Sequence, residues 1–261
     1  MATATNGNVR IHWDEQGDGT PLLLVMGAAY SSRMWYPAIP DLSAKHRVLW
    51  FDNRGIGEST SAGTPTISDF VADAIAVLDA AGVEKAHVYG VSLGGVIVQQ
   101  LALEHPDRVA SLVVGCSGIL SDDKPRAPKA LNLLAYLPRR LLWALGRTSG
   151  YGSAATPDAI ARNVEVLKQD KASRAGLVGQ QDALRAYRVT AAQIAAGLTM
   201  PVLVLHGTED TTVPLAYGEE LHATVPHSQL ITYAGAGHNY LVDAGDQPNA
   251  DVIAFLAEVD G

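Results

Sequence analysis

Apolar residues fall along this chain in short dense runs separated by amphipathic stretches. Val9-Arg10-Ile11-His12-Trp13 alternates, which predicts an edge strand after the Asn6-Gly7 turn signal. Five further runs are brief, β-rich and apolar: 21–25, 47–51, 86–89, 109–116 and 200–205. They predict buried strands, with 229–233 as the last. Between them the spacing becomes helical. Phe70, Val71, Ala74, Ile75, Val77 and Leu78 mark a helix over 67–81 that stops at Gly82, and Val96, Ile97, Val98, Leu101, Ala102 and Leu103 mark another, closed by His105-Pro106. Residues 215–225 and 249–258 predict two more. Strands alternating with helices imply right-handed crossovers and an α/β fold, a mostly parallel sheet with helices on both faces. The alternation lapses after Gly118. Residues 119–197 read as helical and charged, broken at Pro125, Pro128, Pro138 and the Gly-rich stretch 146–152. Thr156-Pro157-Asp158 supplies a helix start, with a hydroxyl cap, proline at the first position and an acid in the first turn. The expected organisation is a core of residues 1–118 and 198–261, interrupted by a helical cap insertion, 119–197. Function is expected at the C-terminal ends of the parallel strands.

Composition narrows the class. The 261 residues are 48% hydrophobic and 18% charged, values of a globular chain with a sizeable core. A formal net charge of −8 argues against nucleic acid as the main partner. A single cysteine, Cys116, excludes an internal disulfide framework and suits a reducing cytoplasm. No signal peptide and no membrane-length apolar run is visible. Residues 119–197 hold 12 Lys and Arg against 6 Asp and Glu, so this stretch carries +6 and the remainder −14. Arg139, Arg140, Arg185 and Arg188 are candidates to draw anionic substrates toward a cleft.

The chemistry centres on Gly90-Val91-Ser92-Leu93-Gly94. Ser92 stands where a short strand turns sharply into a helix, and the glycines leave room for that turn. A serine hydroxyl needs a base, and the base needs an orienter. Of eight histidines, His12, His46 and His87 lie in or beside strands, His105 closes a helix, and His222 and His227 flank a helix end. His206 ends a strand and remains an alternative. His238, in the Ala234-Gly235-Ala236-Gly237 loop after the last strand, is the candidate base. Asp210, just past the strand ending at His206-Gly207, is the candidate orienter, with Asp122 and Asp123 as rivals. Two N–H donors for a developing oxyanion are expected from Leu93 and Ala28, with Gly27 as the alternative to Ala28. Met26, Leu134, Trp143 and Tyr187 are candidate pocket residues. The histidines show no metal-ligand spacing, and Gly55-x-Gly57 lacks the third glycine and the helix of a dinucleotide fingerprint. No metal and no cofactor is expected. The expected partner is a small-molecule substrate, without nucleic acid or membrane.

Together, Met26-Gly27, Asp52-x-Arg54-Gly55-x-Gly57-x-Ser59, Gly90-x-Ser92-x-Gly94-Gly95, His105-Pro106-x-Arg108-Val109, His206-Gly207-x-x-Asp210 and Gly237-His238 resemble the α/β-hydrolase superfamily, particularly its small capped esterases, enol-lactonases and cofactor-free haloperoxidases. Met-Gly replaces the family's usual His-Gly after its early strand. The resemblance implies the α/β-hydrolase fold and acyl transfer: Ser92 attacks a carbonyl, His238 moves the proton, Asp210 holds the imidazole, and water hydrolyses the acyl-enzyme. The expected function is hydrolysis of small or medium carboxylic esters or lactones. C–C bond hydrolysis, perhydrolysis and receptor-like ligand capture on the same fold are the alternatives.

Overall fold

The computed structural model describes residues 2–125, 129–137, 141 and 150–261. Eight strands are present: β1 (Ala2–Asn6), β2 (Val9–Gln16), β3 (Pro21–Val25), β4 (Arg47–Phe51), β5 (Ala86–Val91), β6 (Val109–Gly115), β7 (Val202–Gly207) and β8 (Gln229–Tyr233). They form one sheet in the order β1-β2-β4-β3-β5-β6-β7-β8. From β4 through β8 every neighbouring pair is parallel, while β2 is antiparallel to both β4 and β1. The expectation that Val9–Trp13 is the edge strand is therefore corrected. Ala2-Thr3-Ala4-Thr5-Asn6 adds a strand outside it, in register Asn6↔Val9, through a turn at Gly7 with φ 59°. Its small side chains form no apolar run, so nothing in the hydropathy marks it.

Nine helices are described: α1 (Ile39–Ser43), α2 (Ile67–Ala80), α3 (Leu93–Glu104), α4 (Pro157–Leu167), α5 (Arg174–Ala186), α6 (Ala191–Gly197), α7 (Leu215–Thr224), α8 (Tyr240–Asp243) and α9 (Gln247–Asp260). Their starts follow the local sequence. Thr66 and Asp69 close a capping box on α2, Thr190 and Gln193 one on α6, and Thr156 Oγ1 accepts from Ala159 N at the head of α4. Successive side chains of the parallel strands feed two cores. Leu23 and Val25 of β3 pack with Phe70, Val71 and Leu78 of α2 and with Ile97 and Leu101 of α3. Leu22 and Leu24 pack on the other face with Leu42 of α1 and Val252, Phe255 and Leu256 of α9. Burying both faces is why these strands read as continuous apolar runs, and each such side chain contributes about 1.5–3 kcal/mol.

Two polar clusters brace the sheet. After β4, Arg54 forks onto Asp73 of α2 (Nε–Oδ2 2.6 Å, Nη2–Oδ1 2.7 Å), and Asn6 Nδ2 donates to the same carboxylate at 2.9 Å. At the edge where β5 and β6 begin, His87 stands between Ser111 Oγ (2.8 Å) and Asp260 Oδ1 of α9 (2.9 Å). Thr20 Oγ1 donates to the other Asp260 oxygen at 2.6 Å.

Among the described residues between Gly115 and Val202 no strand joins the sheet. The described parts of that stretch dock on the strand ends at two places. On one side Ala172 bridges Ile56, Gly57 N donates to Lys171 O and Ser173 N donates to Gly55 O. On the other, residues 150–154 lie on the loops after β7 and β8. Among the described residues no helix is long and apolar enough to cross a membrane.

Candidate active site

Parallel strands deliver their C-terminal ends to one edge of the sheet, which gathers Met26-Gly27, Asp52, Ser92, Cys116, Asp210 and His238. β3 sits between β4 and β5, so the chain reverses its winding direction there. A crevice at such a reversal is where α/β sheets bind ligands.

Ser92 has φ 54° and ψ −118°, a conformation rare for any residue with a side chain. Its N–H donates to Gly115 O at 2.9 Å and its carbonyl accepts from Val96 N at 3.2 Å, so β6 and the first turn of α3 hold the bend from both sides. A Cβ on Gly94 would overlap the Val25 carbonyl, which is why the turn can lie so close to β3. Gly27 backs the serine directly: a Cβ there would stand 3.2 Å from Ser92 Cβ and 3.8 Å from its Oγ.

The two expected oxyanion donors flank this point. Among the described residues neither Leu93 N–H nor Ala28 N–H has a hydrogen-bond partner. The loop carrying Ala28 is fixed on both sides. Asn53 Nδ2 donates to Met26 O at 2.8 Å, and Ala29 N, at a residue with φ 69°, donates to Gln180 Oε1 of α5 at 2.8 Å. Asp52 Oδ1 accepts from Ser32 N and Oγ, and its Oδ2 from Glu58 N. Asp170 accepts from Ser31 N at 3.0 Å and from Ser31 Oγ. The Asp52-to-Ser59 motif is thus scaffolding for the β3 loop.

Asp210 and His238 are brought together across 28 residues: His238 Nδ1 donates to Asp210 Oδ2 at 2.7 Å. Asp210 Oδ1 accepts from Thr212 N (2.8 Å) and Val213 N (2.9 Å). Burial pushes this carboxyl up, but the adjacent His206 imidazole, the hydrogen bonds from His238 and Val213 and the His238 charge outweigh it and hold the group below the usual carboxylate range. Among the described residues no hydrogen bond links Ser92 Oγ to His238, a separation common before substrate binds.

The alternatives sit elsewhere. His206 is fully buried, its Nε2 bonded to Val213 O at 2.8 Å and 3.5 Å from Asp210 Oδ2. Asp123 accepts from Ser121 Oγ, and Asp122, 82% exposed, pairs with Arg188. Cys116, His206 and Asp210 offer ligand atoms within 4.8 Å of one another. They fit a metal poorly, since both Asp210 oxygens already accept hydrogen bonds and burial pushes the Cys116 thiol well up.

Pocket expectations fare less evenly. Met26 is buried in the core cluster with Leu24 and Trp35. The Tyr187 hydroxyl donates to Gln100 Oε1 at 2.7 Å, two turns down α3 from Ser92. The Leu134 side chain, Trp143, Arg139 and Arg140 lie outside the described residues. Arg185 pairs with Asp182, and Arg188 with Tyr187 O and Asp122, so neither is a bare cation awaiting an anion. A cleft of about 880 Å³ lined by Arg10, His12, Trp50, Asp52, Glu58 and Lys171 opens on the β1–β2 side, without Ser92, Asp210 or His238. Sequence reasoning missed Gln180, Asp170 and Asp243, whose contacts span long stretches of chain and leave no local pattern.

Comparison with known proteins agrees with this architecture. The family model described as alpha/beta hydrolase fold matches residues 20–244. The RutD protein of Azorhizobium caulinodans, named for carbamate hydrolysis, is 30% identical over the full length of both chains. A pimeloyl-[acyl-carrier protein] methyl ester esterase of Aliivibrio salmonicida is 27% identical, over 96% of this chain and 97% of its own. A thermophilic esterase from Thermogutta terrifontis superposes with a TM-score of 0.85 at 22% identity, covering 98% of this chain and 97% of that one. The chain belongs to the alpha/beta hydrolase fold family.

Proposed function

We propose that this protein is a serine hydrolase that cleaves small or medium carboxylic esters or lactones through an acyl-enzyme, with Ser92, His238 and Asp210 as its triad. The observation that carries the reading is the 2.7 Å bond from His238 Nδ1 to a buried Asp210, at the strand ends where Ser92 holds its strained turn. Donation from Nδ1 leaves Nε2 as the basic nitrogen. Ser92 Oγ attacks the carbonyl carbon as Nε2 takes its proton. The carbonyl electron pair moves onto oxygen, facing the Leu93 and Ala28 N–H groups. Collapse expels the alkoxide, which recovers the proton from His238. Water then repeats the sequence on the acyl-enzyme and releases the acid.

A carbamate is the second reading, favoured by the relative at 30% identity named for that reaction. Both substrates present a carbonyl carrying a heteroatom leaving group, so the same residues serve. A panel of p-nitrophenyl acyl esters, a lactone and a carbamate tests the proposal. Steady-state turnover of an ester or lactone is expected, reduced about 10⁴-fold or more in Ser92→Ala with the fold intact. A well-folded Ser92→Ala protein with near-normal activity would overturn the mechanism. Binding without turnover across the whole panel would make the protein a ligand-capturing relative instead.

A further inference from the structure

His238 is carried by Ala234-Gly235-Ala236-Gly237, four residues with almost no side chain to anchor them. Such a segment loses much entropy on ordering, so something must hold the imidazole in place. The holding comes from outside the loop. Asp243 of α8, 7% exposed, accepts at one oxygen, Oδ2, from Gly237 N (2.8 Å) and from Gly152 N (2.7 Å). Residues 150–154 then tie to both loops. Asn239 N donates to Gly150 O at 2.7 Å and Ala154 N to Gly235 O at 2.9 Å. Ser153 N and Oγ both donate to Glu209, beside Asp210, at 2.7 Å, and Glu209 N closes the circuit on Ala236 O at 2.8 Å. The backbones touch so closely that a Cβ on Gly237 would come within 2.7 Å of Gly152 N. Asp243 therefore holds the residue before His238, and one five-residue strap holds the residue after it and the residue before Asp210.

We propose that Asp243 is a positioning residue for His238, fixing the imidazole through the Gly237 amide and the 150–154 strap. The stretch between β6 and β7 is then part of the catalytic apparatus as well as a neighbour of the site. This rests on the triad reading above. Without the carboxylate, two buried amides lose their acceptor, the Gly237 peptide can rotate, and Nε2 drifts from Ser92. A misplacement of about 1 Å can cost about 100-fold in rate.

The experiment is labelling of Ser92 by a fluorophosphonate, which needs the activated serine and no knowledge of substrate, alongside kcat and KM on p-nitrophenyl acetate. Asp243→Ala is expected to lower the labelling rate and kcat about 10- to 100-fold, with KM within about threefold. Asp243→Asn keeps a carbonyl acceptor for both amides and is expected to recover most of the loss. Ser153→Ala loosens the strap without touching Asp243 and should slow labelling severalfold even if Asp243→Ala folds poorly. Wild-type labelling rates in a folded Asp243→Ala, or a change confined to KM, would overturn the proposal and leave the triad standing. A wild-type protein that the probe does not label at Ser92 would overturn both together.

Discussion

Ser92 holds a backbone conformation that is strained by about 1–3 kcal/mol, and the groups around it are fixed before any ligand arrives. Asp210 is the clearest case. Three donors occupy it, two backbone amides on Oδ1 and the imidazole on Oδ2, so the carboxylate has one orientation to offer. Being held below the usual carboxylate range, it stays ionised as acid is added, and loss of activity on the acid side belongs to other groups. In Asp210→Asn the two amides keep the carbonyl oxygen, which turns the NH₂ toward His238 Nδ1 and favours the wrong tautomer. A loss of about three to four decades in kcat is expected. Asp122→Asn and Asp123→Asn, at exposed positions, should leave kcat near wild type. The reverse pattern would reassign the acid. The sharp turn at Ser92 and the placing of Asp210 and His238 at strand ends are legible in the sequence because glycines and strand ends punctuate them. Gln180 and Asp243 are not, because their bonds to Ala29 and Gly152 join residues 151 and 91 positions apart.

Among the elements, α2 and the β4 loop show how a family motif acts mechanically. Arg54 and Asp73 are both almost wholly buried and meet through two short bonds. Burial pushes Asp73 up while Arg54 and Asn6 pull it down, and the two-point geometry argues for an ionised pair. Arg54→Met leaves that carboxylate without its cation and is expected to destabilise the fold by about 3–5 kcal/mol in urea or thermal unfolding. Arg54→Met combined with Asp73→Leu should recover a large part of it. If the double variant is no more stable than the single, the charge is not the cause. Element boundaries follow the hydropathy in β2 to β8 and in α2, α3, α7 and α9. They fail for β1, whose Ala and Thr residues carry too little apolar surface to signal, and for α1 and α8, each too short for a helical period to register. The strap at 150–154 escaped for a different reason. Its glycines resemble an ordinary loop until the backbone they press against is known.

On the scale of the whole molecule, α9 closes the fold by returning the last turn of the chain to the strand beginnings. Asp260 is the fastening, accepting from Thr20 and His87. Burial raises its pKa somewhat, but those hydrogen bonds and the His87 and His46 charges outweigh burial and hold it low. A carboxyl depressed on folding contributes stability above its unfolded pKa, about 3.9, and loses that contribution as pH falls through the folded value. Asp260→Ala should therefore lower Tm at neutral pH, and the gap to wild type should narrow below about pH 4. A gap that does not depend on pH would assign the effect to packing. The same corner carries a lesson in pattern matching. Ser111, His87 and Asp260 repeat the residue types of the catalytic reading, in line and within hydrogen-bond distance. Yet Ser111 lies within strand β6 and is wholly enclosed, with no sharp turn to present its hydroxyl. A search by residue identity and distance alone would rank this trio first, since among the described residues Ser92 Oγ makes no hydrogen bond to His238. What separates the two serines is the main chain beneath them: Ser92 stands at φ 54° on a sharp turn, Ser111 inside a strand of the sheet.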